Sequence, residues 1–181
     1  MDIEVRSLAT SQVNMGNYLP SDEQVDLPGS TYSFDISIDD LNYEFQFNIK
    51  SEDTNGDLQE RLTRLINNAN IGLFAHVIKD GDNQSGMRLE SNATGLKNDK
   101  GHIFNVSDHR TSKDSGTVEY LGLGYTTVAA SNADFLINGE ERTSPSNKLT
   151  IGRMYEVTLN GVSSEEGETA SIGLKTDVES L

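Results

Sequence analysis

The 181-residue chain contains no cysteine and no tryptophan, and it has only three prolines and three histidines. Without cysteine no disulfide can form, so the fold must depend on an apolar core, although apolar residues make up only 34% of the sequence. The lack of cysteine fits a cytoplasmic protein and equally fits one that is exported unfolded and folds outside the cell without oxidation. The chain has no apolar run of membrane-spanning length and does not open with a basic and then apolar signal segment.

Basic residues are scarce. The 14 lysines and arginines face 29 aspartates and glutamates, which gives a formal net charge of −15 at pH 7. Such a surface repels the phosphates of nucleic acids and the headgroups of anionic lipids. We therefore expect neither a nucleic-acid partner nor a membrane partner.

Reactive groups are few and badly spaced for chemistry. His76, His102 and His109 lack the close pairing of a zinc site. His76 is predicted to be a core or edge residue with its hydrogen bonds satisfied, and His109 a solvated loop residue. Residues 80–86 resemble a calcium loop, but the glycine falls one place late and no helices flank it, so a hairpin turn is predicted. We expect that the protein binds no metal and no cofactor and that it is not an enzyme. The alternative of a cytoplasmic enzyme would require one concave pocket with converging polar groups.

Alternating apolar and polar residues predict an antiparallel hairpin with strands at 31–38 and 42–49. A helix is predicted to cover this hairpin over 56–69, with Thr54 as its N-cap and Asp57 completing a capping box. The predicted buried face of the helix consists of Leu58, Leu62, Leu65, Ile66 and Ala69.

Other alternating segments predict short strands, whereas residues 10–26 are polar and irregular. These strands are predicted at 2–9, 73–79, 87–91, 102–106, 117–121, 131–137, 146–151, 155–159 and 169–174. There is no tandem repeat and no sustained heptad pattern. The expected fold is mainly β (α+β), built from antiparallel strands with a single helix.

Two turn-forming segments, Pro28-Gly29 and Gly122-Leu-Gly124, indicate a nested pair of β-rich domains. The outer, discontinuous domain is predicted to comprise 1–27 and 125–181. The inserted domain is predicted to comprise 28–124 and to contain the helix.

The last third of the chain contains a motif that reads as a strand, a glycine turn and two further strands. It resembles the "IN" motif of bacterial flagellar proteins, in which Asn-Ala and Ile-Asn-Gly precede Ser-Asn and a strand rich in threonine and valine. The residues that carry the resemblance are Asn132, Ala133, Phe135, Ile137, Asn138, Gly139, Ser146 and Asn147.

Earlier segments extend this resemblance to the flagellar filament-cap proteins (the FliD type, or hook-associated protein 2 family). The first strand is similar to their Val-x-x-Leu-Ala-x-x-Gln pattern, the helix ends in Ile-Asn-x-Ala, and Arg-Leu leads to Ser-x-x-Thr-Gly over 87–95. The matching residues are Val5, Leu8, Ala9 and Gln12, then Ile66, Asn67 and Ala69. The order of the pieces matches over nearly the whole chain.

The resemblance implies the outer D2–D3 portion of a cap protein. Cap proteins carry long helical segments at both ends, and residues 175–181 resemble the start of the returning helix, so we expect a piece of a longer protein. The implied function is structural: the cap helps flagellin fold and insert at the filament tip. The implied partners are flagellin and other copies of the cap protein. The implied location is extracellular, after export through the flagellar secretion channel.

A surface adhesin that binds host mucin or another glycan is the alternative hypothesis. Sugar recognition commonly uses exposed aromatic faces, and the chain has no tryptophan for this purpose. The aromatic residues expected to be exposed are Tyr18, Tyr120 and Tyr125.

Overall fold

A computed structural model describes residues 1–97, 100–153 and 155–173. Within them lie fourteen strands and two helices, so the expected mainly β fold is confirmed. The strands are β1 Asp2–Ser7, β2 Ser11–Met15, β3 Leu19–Pro20, β4 Ser30–Ile38, β5 Leu41–Ile49, β6 Leu73–Asp80, β7 Gln84–Thr94, β8 Phe104–Asp108, β9 Thr126–Val128, β10 Ala133–Ile137, β11 Glu140–Ser144, β12 Lys148–Ile151, β13 Tyr155–Thr158 and β14 Ala170–Ser171; the helices are α1 Asn55–Asn68 and α2 Thr117–Leu121. In the described part of the chain neither helix has the length and apolar character needed to cross a bilayer.

Contacts between residues divide the chain into two units. The first comprises Met1–Thr10, Thr94–Lys97 and Ser131–Leu181, and the second comprises Ser11–Ala93 and Asn98–Ala130. Both domain boundaries proposed from the sequence, at 27/28 and 124/125, therefore fall inside the second unit. The reason is that the polar segment expected to be irregular contains β2 and β3, which belong to a sheet of the second unit.

The first unit contains a four-stranded antiparallel sheet in the order β11-β10-β1-β14 and a separate two-stranded ribbon of β12 and β13. In the sheet Ile3 lies opposite Ile137 and Val5 lies opposite Phe135. The buried core of this unit consists of Ile3, Ala9, Ala133, Phe135 and Leu159. The predicted last strand is present as β14, but its end at Leu174 and the predicted returning helix at 175–181 lie outside the described residues.

The second unit contains two sheets. One has the order β3-β7-β2-β9 with β6 paired to β7, and the other has the order β5-β4-β8. The predicted hairpin is confirmed as β4 and β5, with Ile38 opposite Leu41 and the turn at Asp39-Asp40. Because alternate residues point to the same side, Phe34 meets both Phe45 and Phe47 in the core, stacked on the first and edge-on to the second.

Helix α1 begins as its sequence predicts. The Thr54 hydroxyl accepts a hydrogen bond from the Asp57 amide, and the Asp57 carboxylate accepts one from the Thr54 amide, each at 3.1 Å. This reciprocal capping box satisfies two amides that the helix itself cannot pair. Leu58, Leu62 and Ile66 are fully buried in the same core as the hairpin phenylalanines.

The buried face of α1 is rotated from the predicted one. Leu65 is 36% exposed and Ala69 is also exposed, so their predicted burial is wrong. Asn55 and Gln59 continue the buried stripe instead, because the Gln59 amide donates to the backbone oxygen of Ser85 at 2.8 Å. A polar side chain with a partner thus occupies a position that hydrophobicity alone would not assign to the core.

The predicted strand at 117–121 is wrong, since this segment is helix α2. Gly116 and Gly122 flank it with φ of 103° and 70°. The Tyr120 amide donates to the oxygen of Gly116 at 2.9 Å. Thr117 and Leu121 are the buried residues, and their spacing of four matches a helical turn.

Candidate functional site

The motif near the end of the chain forms a structural site in the first unit, and Asn147 is its best-connected residue. The Asn147 side chain accepts a hydrogen bond from the Ala9 amide at 2.7 Å and donates one to the Ala9 oxygen at 2.9 Å. A side-chain amide has the same donor and acceptor as a peptide group, so Asn147 pairs with Ala9 as a neighbouring strand would.

Asn138 and Gly139 form the turn between β10 and β11. Their φ angles are 49° and 82°, the left-handed region that asparagine and glycine tolerate and that a two-residue hairpin turn requires. The Asn138 side-chain oxygen accepts from the Asp2 backbone amide at 2.9 Å, and the Asn138 backbone amide donates to the Asp2 oxygen at 2.8 Å. The turn is therefore fixed against the beginning of β1.

Asn67 and Asn132 also bond to backbone, each inside its own unit. The Asn67 side chain accepts from the Ala75 amide at 2.7 Å and donates to the Ala75 oxygen at 2.8 Å, on the free edge of β6. The Asn132 oxygen accepts from the Leu96 amide at 2.8 Å. Both side chains satisfy backbone groups that no strand pairs.

Gln12 is 2% exposed and joins β2 to the start of β8 in the second unit. Its side-chain oxygen accepts from the amides of Ile103 and Phe104, and its nitrogen donates to the Phe104 oxygen at 2.9 Å. A second bond from its nitrogen reaches Asn14 at 3.0 Å. This buried amide is fully engaged, which is the condition for a polar group to be tolerated in a core.

The remaining motif residues are divided between the units. Ile66 is buried in the second unit, and Ala69 is exposed as the C-cap of α1. The Ser146 hydroxyl accepts from the Lys148 amide at 3.1 Å at the start of β12. The motif residues packed in or against the core of the first unit are Val5, Leu8, Ala9, Ala133, Phe135 and Ile137.

A two-point ion pair lies in the second unit and has no counterpart in the sequence motifs. Arg61 of α1 donates to the Asp53 carboxylate from its two terminal guanidinium nitrogens, at 2.8 and 3.1 Å. Hydrogen bonds from Arg61 hold the pKa of the Asp53 carboxyl below its usual value, because they favour the ionised form. The pKa of Glu90 is lowered as well, first by a hydrogen bond from the Ser11 hydroxyl and then by Arg88.

His109 lies in the loop after β8, as predicted, but the prediction that it is solvated is wrong. Its Nδ1 lies 2.7 Å from a carboxylate oxygen of Asp35, and its ring is only 23% exposed. His76 lies on edge strand β6 as predicted, but its Nδ1 is buried without a hydrogen-bond partner in the described residues. Residues 80–86 form a hairpin turn, as predicted. The described parts of the chain contain no group of three or more histidine, cysteine or carboxylate side chains placed to hold a metal.

The described residues of each unit form a groove. The groove of the first unit has a volume of about 380 Å³ and is bordered by β1 and the loop after β13, with Val5, Leu159 and Val162 among its lining residues. The groove of the second unit has a volume of about 500 Å³ and lies at the start of α1, where Asp57 and Glu60 make it acidic.

Two of the three tyrosines that were expected to be exposed are exposed in the structure. Tyr125 is 56% exposed and Tyr18 is 45% exposed. Tyr120 is half-buried, since its hydroxyl donates to the Asn55 side chain at 2.5 Å and accepts from the Asp26 amide at 3.1 Å. Its predicted availability as a free aromatic face is therefore wrong.

The chain matches no protein-family model and no curated protein sequence. Solved structures do match. The D2–D3 domains of the flagellar cap protein FliD from Escherichia coli match with a TM-score of 0.66 and 21% identity over 91% of this chain and 83% of that one. The chain has the fold of flagellar cap D2–D3 domains.

Cap domains from other bacteria give the same result. Those of Serratia marcescens FliD match with a TM-score of 0.66 and 17% identity, covering 96% of this chain and 92% of theirs. FliD of Pseudomonas aeruginosa PAO1 matches with a TM-score of 0.65 and 18% identity, covering 99% of this chain and 81% of that one. The D1–D2–D3 structure of E. coli FliD matches with a TM-score of 0.60 and 23% identity over 91% of this chain. This chain spans about half, 48%, of the length of that one.

Proposed function

We propose that this chain is a structural module of a bacterial flagellar filament cap. The observation that carries the proposal is the cap D2–D3 fold, which extends over 91–99% of the chain in matches to FliD from three bacteria. The ordered sequence motifs support it as well, because they resemble the same family over nearly the whole chain. The module is then extracellular, at the tip of the flagellum, after export through the flagellar secretion channel.

The proposed action is steric and carried out by surfaces, without catalysis. The polar motif residues support this view, since the side chains of Asn67, Asn138 and Asn147 accept hydrogen bonds from backbone amides. Their partners are within the chain, so the motif stabilises the fold. The proposed external partners are flagellin, which the cap helps to fold and insert, and other copies of the cap protein. A net charge of −15 favours solubility at an exposed tip.

A domain exchange tests the proposal. In an E. coli strain that lacks its own cap protein, FliD would be restored with its D2–D3 domains replaced by this chain. We expect filaments by electron microscopy and swimming in soft agar, with little flagellin in the medium. An unrelated acidic domain of similar size in the same position is the matched control. If the chimera leaks monomeric flagellin as the control does, while both are exported equally, the proposal fails.

Glycan binding is the second candidate, favoured by one observation: Tyr18 and Tyr125 present exposed rings in the second unit. A glycan array tests it. Saturable binding that is lost in Tyr18→Ala or Tyr125→Ala would support an adhesin role, because stacking on a sugar requires an open ring face. Tyr120→Ala is the control, since Tyr120 packs against the core and its hydroxyl is hydrogen-bonded to Asn55. An array without signal would leave the cap module as the single proposal.

A further inference from the structure

The chain contains three Asn-Gly dipeptides, at 55–56, 138–139 and 160–161. In such a pair the glycine nitrogen can attack the asparagine side-chain carbonyl, because glycine has no Cβ to obstruct the approach. The reaction requires that the asparagine side chain turns towards the backbone and that the glycine N–H is free. The structure distinguishes the three dipeptides by this requirement.

Asn55-Gly56 is held at the start of α1. Asn55 is 2% exposed, and its side-chain nitrogen donates to the oxygen of Pro20 at 2.8 Å. The Gly56 N–H donates to the oxygen of Ser21 at 3.0 Å. Both reacting groups are occupied, so attack requires local opening of the helix start.

Asn138-Gly139 is exposed but also held. The Asn138 side-chain oxygen accepts from the Asp2 backbone amide at 2.9 Å, and the Asn138 backbone amide donates to the Asp2 oxygen at 2.8 Å. Rotation of the side chain towards Gly139 would break the first of these bonds. This dipeptide therefore separates the effect of exposure from that of hydrogen bonding.

Asn160-Gly161 lies in the loop after β13, and both residues are exposed. The backbone is anchored on either side of the dipeptide, by the Leu159 amide on Asn147 at 2.7 Å and by the Ser163 amide on Val5 at 2.9 Å. Within the described residues neither the Asn160 side chain nor the Gly161 N–H makes a hydrogen bond. Among the residues that the structure describes, nothing therefore holds either reacting group.

We propose that Asn160 is a site of spontaneous deamidation. The Gly161 nitrogen forms a bond to the side-chain carbonyl carbon of Asn160, the bond from that carbon to the side-chain nitrogen breaks, and ammonia leaves with the Gly161 proton. The product is a five-membered succinimide. Water then opens the ring at either carbonyl, which gives aspartate or an isoaspartate whose backbone runs through the former side chain. No oxidant or cofactor is needed, and one negative charge is added beside the groove of the first unit, which Asn160 helps to line.

Peptide mapping by mass spectrometry tests this. The intact chain is kept at body temperature and mildly alkaline pH, and the three Asn-Gly peptides are followed over weeks. The Asn160 peptide should gain about one dalton and divide into two products of equal mass. Conversion at Asn55 and Asn138 should be at least about tenfold slower, since hydrogen bonds must first break at both sites.

Two comparisons keep the proposal open to refutation. Gly161→Ala should slow the conversion of Asn160 strongly, and the fold should accept it, because an added Cβ at Gly161 meets nothing within 4 Å. In urea the three dipeptides should convert at similar rates, because the protection is lost. The proposal is overturned if Asn160 in the folded chain is no faster than Asn55 and Asn138, or if Gly161→Ala leaves its rate unchanged.

Discussion

Side-chain amides replace missing strands in this molecule. Asn67 bonds both backbone groups of Ala75 on the free edge of β6, and Asn147 does the same to Ala9 after β1. An unpaired strand edge exposes donors and acceptors that would otherwise need water or another chain. At the scale of single residues, asparagine is therefore a structural residue here.

Asn67→Ala should lower the free energy of unfolding by about 2–4 kcal/mol, because both backbone groups of Ala75 lose their partner and Ala75 is 1% exposed. Asn68→Ala, at the next position of the same helix, should change it by less than about 0.5 kcal/mol, since Asn68 is exposed. Urea unfolding followed by circular dichroism gives both values. Equal losses in the two variants would show that the Ala75 bonds contribute nothing.

The Asp53–Arg61 pair should make stability depend on acid. Arg61 lowers the folded-state pKa of Asp53. At pH values between the folded and the unfolded pKa of this carboxyl, the folded chain therefore binds fewer protons than the unfolded chain. The stabilisation is therefore complete above the unfolded pKa of about 3.9, and is lost as pH falls through the lower folded pKa.

Asp53→Asn should accordingly be destabilising at neutral pH and progressively less so as the pH falls below about 4. Urea unfolding of both proteins across this range measures the difference. Glu52→Gln, at the neighbouring exposed carboxylate, is the control. A difference between wild type and Asp53→Asn that stays constant down to the lowest pH would contradict the assignment.

At the scale of elements, helix α1 connects sequence to fold. Its capping box defines where it begins, and its buried stripe of Leu58, Leu62 and Ile66 packs in one core with the hairpin. Burial of such a stripe contributes more to a helix in a protein than propensity does. The position of the stripe therefore decides which leucine of α1 contributes most to the free energy of unfolding.

Leu62→Ala should cost about 2–5 kcal/mol, because a fully buried side chain is replaced by a cavity. Leu65→Ala in the same helix should cost less than about 1 kcal/mol, since Leu65 is 36% exposed. Thermal and urea unfolding of the two variants provide the comparison. A loss at Leu65 as large as that at Leu62 would place the buried face of α1 elsewhere.

At the scale of the whole molecule, charge is the dominant property. The chain has 29 acidic and 14 basic residues, and repulsion among the excess negative charges disfavours the folded state. Salt screens the repulsion, with a Debye length that falls from about 30 Å at 0.01 M to about 10 Å at 0.1 M.

The midpoint of thermal unfolding should therefore rise between these two ionic strengths. A gain of about 1 kcal/mol corresponds to about 2–4 °C for a chain of this size. Sodium and potassium chloride at equal ionic strength should act alike, which separates screening from specific ion effects. A midpoint that stays level or falls with added salt would mean that favourable ion pairs outweigh the repulsion.

Local patterns in the sequence were sufficient for some elements. The hairpin of β4 and β5, the capping box of Thr54 and Asp57, and the turn at 80–86 all depend on residues a few positions apart. Their hydrophobic period and turn chemistry are complete within each segment. The resemblance names the motif residues of the site, whereas their hydrogen bonds are visible only in the structure.

The tertiary structure decided the rest, because the partners are far apart in the chain. Asn147 meets Ala9 across 138 positions and Gln12 meets Phe104 across 92. Flanking glycines and a packed core made 117–121 a helix, although its alternation also fits a strand. Amphipathic periods and turn residues are local properties that the sequence determines by itself. Which polar side chain is buried depends on a partner that only the folded chain brings within reach.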